Sequence, residues 1–79
     1  MYDVEVINWK KRETYVKTFA NKDEAVTQFH SSAYKIFDKL GGTANGFAIK
    51  AAKYGIRLDI VNTNNNKKYF SVDVHITLL

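Results

Sequence analysis

The sequence predicts an α+β fold in which a four-stranded antiparallel sheet carries one long helix on one face, in the order ββα(α)ββ. One observation is the strict alternation of apolar and polar residues from Tyr69 to Leu79, which is typical of a half-buried strand. Another is the spacing of three and four residues, typical of one helical face, between Ala25, Phe29, Ala33, Ile36 and Leu40. Two hairpins can bury their apolar rows against such a helix.

The first hairpin is predicted from Tyr2–Trp9 and Thr14–Ala20, which are rich in β-branched and aromatic residues. The polar run Lys10–Glu13 separates them and supplies the turn. No Asn-Gly pair specifies the turn, so the register of the hairpin stays open.

A helix is predicted from Asp23 to Leu40. Asn21 can cap it, and the acidic residues Asp23 and Glu24 suit the positive end of a helix dipole. The pair Gly41-Gly42 ends it.

The segment from Thr43 to Tyr54 fits two patterns. Phe47, Ala51 and Tyr54 would share one face of a short helix, whereas Phe47, Ile49 and Ala51 alternate as in a strand. Alanine is frequent in this segment and is a poor strand former, so we favour the helix narrowly.

The second hairpin joins the alternating run Ile56–Val61 to the final strand through Asn62–Asn66, whose side chains favour turns. The ambiguous segment decides where the two hairpin turns lie. A second helix would return the chain so that Lys10–Arg12 and Lys67-Lys68 share one end of the sheet, and a loop would leave them at opposite ends.

The length and composition predict a single domain over residues 1–79. The chain has 79 residues, no cysteine and a net charge of +4, so no disulfide can stabilise its small core, and homodimer formation is a further expectation. The N-terminus lacks a basic region followed by an apolar run, and no stretch is long enough to cross a bilayer. We therefore expect a cytoplasmic protein.

Lysine outnumbers arginine ten to two, asparagine and isoleucine are plentiful, and proline is absent. In this usage the chain resembles small accessory proteins of phages and mobile elements of low-GC Gram-positive bacteria. The phrase Lys17–Ala25 is similar to the strand-to-helix step of the arm-type DNA-binding domains of phage integrases, which use three strands where this chain offers two. The first resemblance implies an inhibitor or regulator of a host or defence protein, acting in the cytoplasm of a bacterial host.

No catalytic, metal or cofactor motif is present. His30 and His75 are the two histidines, which is too few for a triad or a histidine-rich metal site. One face of the sheet is expected to carry His75, Asp73, Asp59 and Arg57, and cross-strand charge pairs are the favoured interpretation over acid–base chemistry. We therefore predict a protein that is not an enzyme and that needs no cofactor.

Trp9 is the most specific candidate for a binding residue. If Val4 and Val6 face the helix, Trp9 projects from the opposite face beside the basic run. The slightly favoured alternative is that a β-bulge, or the edge of the helix, buries Trp9 in the small core. An exposed tryptophan beside cations can stack on a base or anchor a protein interface. The candidate partner-binding residues are Ile7, Trp9, Lys10, Lys11, Arg12, Lys67 and Lys68.

Two partner classes follow from these candidates. A protein partner is the first choice, because the outer face is partly apolar through Ile7, Trp9 and Val16, and because the last strand is expected to offer a long edge. Nucleic acid is the alternative, through the two basic hairpin turns. A purely structural role, as a small homo-oligomer, is third.

Overall fold

The computed structural model describes residues 1–52 and 56–77. Its elements are β1 (Tyr2–Asn8), β2 (Glu13–Phe19), α1 (Lys22–Lys39), a 3-10 turn (Gly42–Asn45), β3 (Phe47–Ala51), β4 (Arg57–Asn62) and β5 (Lys67–Ile76). The strands form one antiparallel sheet in the order β2-β1-β5-β4-β3. The predicted α+β class is therefore confirmed, whereas the sheet has five strands rather than four.

Helix α1 begins and ends within one residue of its predicted bounds. The Asn21 side chain caps it by accepting hydrogen bonds from the backbone N–H groups of Asp23 (2.7 Å) and Glu24 (3.3 Å). Gly41 then adopts a left-handed backbone with a φ of 96°, a conformation that glycine reaches without a steric penalty. Within the described ranges, no helix has both the length and the apolarity to traverse a bilayer.

The predicted second helix is wrong. The segment forms the 3-10 turn and then β3, which pairs with β4 so that Ile49 lies opposite Ile60. Strand pairing and burial of Phe47 outweigh the weak strand propensity of the alanines. The part of the prediction that covers residues 53–55 lies outside the described residues.

Strand β5 lies at the centre of the sheet between β1 and β4. Val74 pairs with Val4 on one side, and Val72 pairs with Leu58 on the other. The expectation that the last strand offers a free edge is therefore wrong, because strict alternation is typical of central and edge strands alike. Strands β2 and β3 form the edges, and Leu78 and Leu79 lie outside the described residues.

The core lies between α1 and one face of the sheet. Its buried residues are Val4, Ala25, Phe29, Ala33, Val72 and Val74. Both residues predicted as core, Phe29 and Val74, are confirmed. The small side chains of Ala25 and Ala33 let the helix approach the strands closely. We call the sheet face opposite α1 the open face.

Both hairpin turns lie at the same end of the sheet. In the register, Asn8 at the end of β1 pairs with Phe70 near the start of β5, and Phe47 at the start of β3 pairs with Asn62 at the end of β4. Strand β3 carries the chain back along the sheet, which is the effect that the second helix was expected to have. We call the region of turns 9–12 and 63–66 the hairpin-tip end.

Candidate binding cleft between the hairpin turns

A backbone hydrogen bond joins the first hairpin turn to the start of β5. The N–H of Trp9, which follows β1, donates to the carbonyl oxygen of Tyr69 in β5 at 3.0 Å. This bond holds the first turn against the start of β5, where Lys67 and Lys68 lie. The result is a cleft of about 310 Å³ between the turns, lined by Trp9, Lys10, Lys67, Lys68 and Tyr69.

Asparagine side chains shape both turns. The Oδ1 of Asn8 accepts from the backbone N–H of Lys11 at 3.1 Å, and the Oδ1 of Asn62 accepts from that of Asn64 at 2.9 Å. Such local bonds let a turn form without an Asn-Gly pair. Each turn closes through one residue with a left-handed backbone, Arg12 (φ 55°) and Asn66 (φ 57°).

Trp9 lies on the open face, as the sequence predicts when Val4 and Val6 face the helix. Its indole Nε1 donates to the Oγ of Ser71 at 2.8 Å, and 42% of the residue is exposed. The alternative, in which a bulge buries Trp9, is therefore wrong. The indole edge is anchored to the sheet while part of the ring surface stays accessible.

A buried polar chain continues from Trp9 across three strands. Ser71 is fully buried, and its Oγ donates to the Oδ1 of Asp59 at 2.5 Å. Asp59 is 7% exposed, and its Oδ2 lies 3.7 Å from the ammonium of Lys68. The carboxylate of Asp59 thus contacts Lys68 directly and is linked to Trp9 through the hydroxyl of Ser71.

Sequence reasoning missed Ser71 and Asp59 as supporting residues. Both occupy polar positions in alternating strands, so their shared face could be inferred. Their contact depends on the pairing of Ser71 with Asp59 and with Ile7, and this register is not encoded in the alternation.

Tyr69, the other aromatic residue of the cleft, occupies a β-bulge. The pairing of β4 with β5 passes from Ile60–Phe70 to Val61–Lys68, which leaves Tyr69 as the extra residue. A bulge increases local twist and redirects a side chain. The Tyr69 ring meets the buried Phe47 edge-on, with 5.0 Å between ring centroids, so this wall of the cleft rests on the core.

The structure brings together six of the seven candidate residues. Trp9 and the cations all lie at the hairpin-tip end, and every cation is exposed: Lys10, Lys11, Arg12, Lys67 and Lys68. Ile7 is half-buried farther along β1 and pairs with Thr14 and Ser71. Val16 is 55% exposed but pairs with Glu5, so polar residues interrupt the apolar part of the open face.

The charged residues farther along the open face form cross-strand ion pairs. Arg57 donates through Nε and Nη2 to both carboxylate oxygens of Asp73, the second at 2.7 Å. His75 Nε2 lies 3.6 Å from an oxygen of Asp3. The contact between Arg57 and Asp73 is a cross-strand charge pair, which is the interpretation favoured from the sequence.

Asp3 also accepts a hydrogen bond from the hydroxyl of Thr18 at 2.6 Å. This bond is the largest cause that lowers the pKa of the Asp3 carboxyl below its ordinary value, followed by the side chain of Thr77 and, more weakly, by His75. A hydrogen bond donated to the ionised carboxylate stabilises that form.

Comparisons with protein-family models, with curated proteins and with solved structures give no match for this chain.

Proposed function

We propose that this protein is a non-catalytic binding module that holds single-stranded nucleic acid at its hairpin-tip end. The observation that carries the proposal is the juxtaposition of the partly exposed Trp9 with five exposed cations from the first turn and the start of β5. This proposal takes up the second of the two partner classes expected from the sequence.

The first support is electrostatic. The five cations of the hairpin-tip end are concentrated at one end of a chain whose net charge is +4. Two carboxylates lie near them: Asp59 is nearly buried and already hydrogen-bonded to Ser71, and the exposed Glu13, which follows Arg12, accepts from the Tyr15 hydroxyl at 2.7 Å. Such a surface attracts phosphates and gains affinity through release of the counterions that surround them.

The second support is the fixed orientation of the aromatic ring. Ser71 accepts the hydrogen bond from the indole N–H, which fixes the orientation of the ring in a residue that is 42% exposed. A base stacked on such a ring gains about 1 to 3 kcal/mol, whatever its identity. Stacking needs an unpaired base, so the cleft suits a single strand better than a duplex.

Protein docking, as an inhibitor or regulator of a host or defence protein, is the second candidate. The observation that favours it is that Ile7, Trp9 and Val16 share the open face. This apolar surface is interrupted by Glu5 and Thr14, which pair with Val16 and Ile7. The free edge expected of the last strand no longer supports this candidate, because β5 is central.

The test is a titration with a fluorescent single-stranded oligonucleotide from about 50 to about 200 mM salt. We expect log-linear loss of affinity with salt, and a shallower slope when Lys67 and Lys68 are both replaced by alanine. The matched control replaces Lys22 and Lys35, two exposed lysines of α1, and removes the same charge from the helix instead of the cleft. Equal losses in both variants, or no oligonucleotide binding, would contradict the proposal.

A further inference from the structure

Strand β2 is an edge strand that nothing covers in the part of the chain that the structure describes. It lies at the end of the sheet order beside β1, and its residues from Glu13 to Thr18 are all exposed. Helix α1 packs on the inner strands, and Phe19 is the β2 residue that joins the core. The outer side of β2 therefore presents backbone N–H and C=O groups for pairing with another strand.

The usual protections of an edge are weak in β2. The strand has seven residues and pairs with β1 in an unbroken register from Tyr2–Phe19 to Asn8–Glu13, without a bulge that would twist it away. Proline is absent from the chain. Lys17 is the one lysine of β2, and its ammonium lies 5.4 Å from the centroid of the Phe19 ring.

The order of charges along β2 is self-complementary. Glu13 and Lys17 lie two residues on either side of Tyr15, and all three share one face of the strand. In an antiparallel pair of two β2 strands centred on Tyr15, Glu13 of each copy faces Lys17 of the other. Opposite charges in directly facing positions stabilise such a pair.

We infer that β2 pairs with β2 of a second copy, in the register centred on Tyr15, to form a two-fold symmetric homodimer with one ten-stranded sheet. A two-fold interface uses the same surface on both copies, which the sequence from Glu13 to Lys17 permits. The pairing covers Tyr15 and Val16, which are 61% and 55% exposed in one copy. The pairing also buries additional surface in a domain whose own core is small.

This dimer leaves the cleft residues Trp9, Lys10, Lys67 and Lys68 of each copy outside the paired strands. The dyad runs perpendicular to the sheet, so both α1 helices lie on the same face and the two hairpin-tip ends point in opposite directions. Nucleic-acid binding and dimer formation are therefore independent proposals that rest on different residues.

A charge-exchange series tests the ion pairs of the dimer. We expect light scattering and sedimentation to show a concentration-dependent dimer. Glu13→Lys or Lys17→Glu alone places like charges opposite each other twice, and each should weaken the dimer at least about fivefold. The double variant Glu13→Lys, Lys17→Glu restores the opposite charges and should restore the dimer. A monomer at every concentration, or single variants that dimerise like the parent protein, would overturn the inference.

Cysteine scanning tests the register, and the chain contains no cysteine of its own. In the proposed register Tyr15 faces its own copy, within the Cα separation that a disulfide spans. Mild oxidation should therefore cross-link the Tyr15→Cys variant efficiently and the Val16→Cys variant poorly. Ile49→Cys on the other edge strand serves as the control. Preferential cross-linking through Val16→Cys or Ile49→Cys would overturn the proposed pairing.

Discussion

The indole N–H of Trp9 donates to the hydroxyl of Ser71 across 62 positions of sequence. The Ser71 hydroxyl in turn donates a hydrogen bond to the nearly buried carboxylate of Asp59. A single serine hydroxyl therefore sets the orientation of the exposed ring and satisfies a carboxylate that is largely withdrawn from water. The candidate cleft and the stability of the sheet depend on the same atom.

Replacing Ser71 by alanine should lower the free energy of unfolding by about 1 to 3 kcal/mol, because it removes a hydrogen bond from the buried carboxylate of Asp59. Urea denaturation measures this change, with Thr43→Ala at an exposed turn position as the control. The Trp9 emission should also shift to the red and become easier to quench. A loss of stability below about 0.5 kcal/mol, the usual range of surface changes, would contradict a structural role for the hydrogen bonds that link Trp9, Ser71 and Asp59.

Trp9→Phe and Trp9→Ala should separate stacking from anchoring. Phenylalanine keeps a ring but cannot donate to Ser71, so its variant should retain part of the oligonucleotide affinity. Alanine should cost about 1 to 3 kcal/mol of binding free energy and leave the salt slope unchanged. The measurement is the same titration, and an alanine variant that binds like the parent protein would remove Trp9 from the site.

Phe29→Ala or Val74→Ala should each cost about 2 to 5 kcal/mol of stability, because each leaves a cavity in the single core. Such a loss is a large share of the stability of a small domain. Tyr34→Ala is the matched control on the same helix, since Tyr34 is 55% exposed. Chemical denaturation that ranks the control with the core variants would contradict the assignment of the helix face.

Asp3 should contribute to acid unfolding. Its folded pKa is lowered, first by the hydrogen bond from Thr18, so the folded state binds a proton more weakly than the unfolded chain does. The resulting stabilisation is present above the ordinary aspartate pKa of about 3.9 and is lost as the pH falls through the lowered folded value. Thr18→Val should raise the Asp3 pKa in a carboxyl NMR titration, and an unchanged pKa would show that this hydrogen bond is not its cause.

The protein should have no turnover of its own. The sequence has two histidines and no catalytic motif, and the guanidinium of Arg57 is committed to Asp73. An activity of the purified protein that His75→Ala abolished, with the fold retained in circular dichroism, would prove this prediction wrong.

The elements predicted correctly from the sequence are those in which a periodic pattern of apolar residues extends over many positions. Helix α1, its Asn21 cap and the alternating strands repeat their signal over many residues, and the core positions Phe29 and Val74 follow from that repetition. Strand β3 was missed because five residues that include two alanines give a weak and ambiguous pattern.

The candidate cleft was predicted in part. Trp9 and the cations could be identified by residue type, and the face of Trp9 follows from the parity of β1. The bond between Trp9 and Ser71, the bulge at Tyr69 and the position of β5 depend on pairing between distant strands. A pattern of alternation does not specify that pairing.

The central position of β5 has a consequence for the route by which the chain folds. The β1–β2 hairpin forms through local contacts, and so does the run from β3 to β5. The two parts join only when β1 meets β5, in a register that places Val4 opposite Val74. Closing so long a stretch of chain costs conformational entropy before the contacts between β1 and β5 contribute any stabilisation. We therefore expect this seam to form last and to limit the rate of folding.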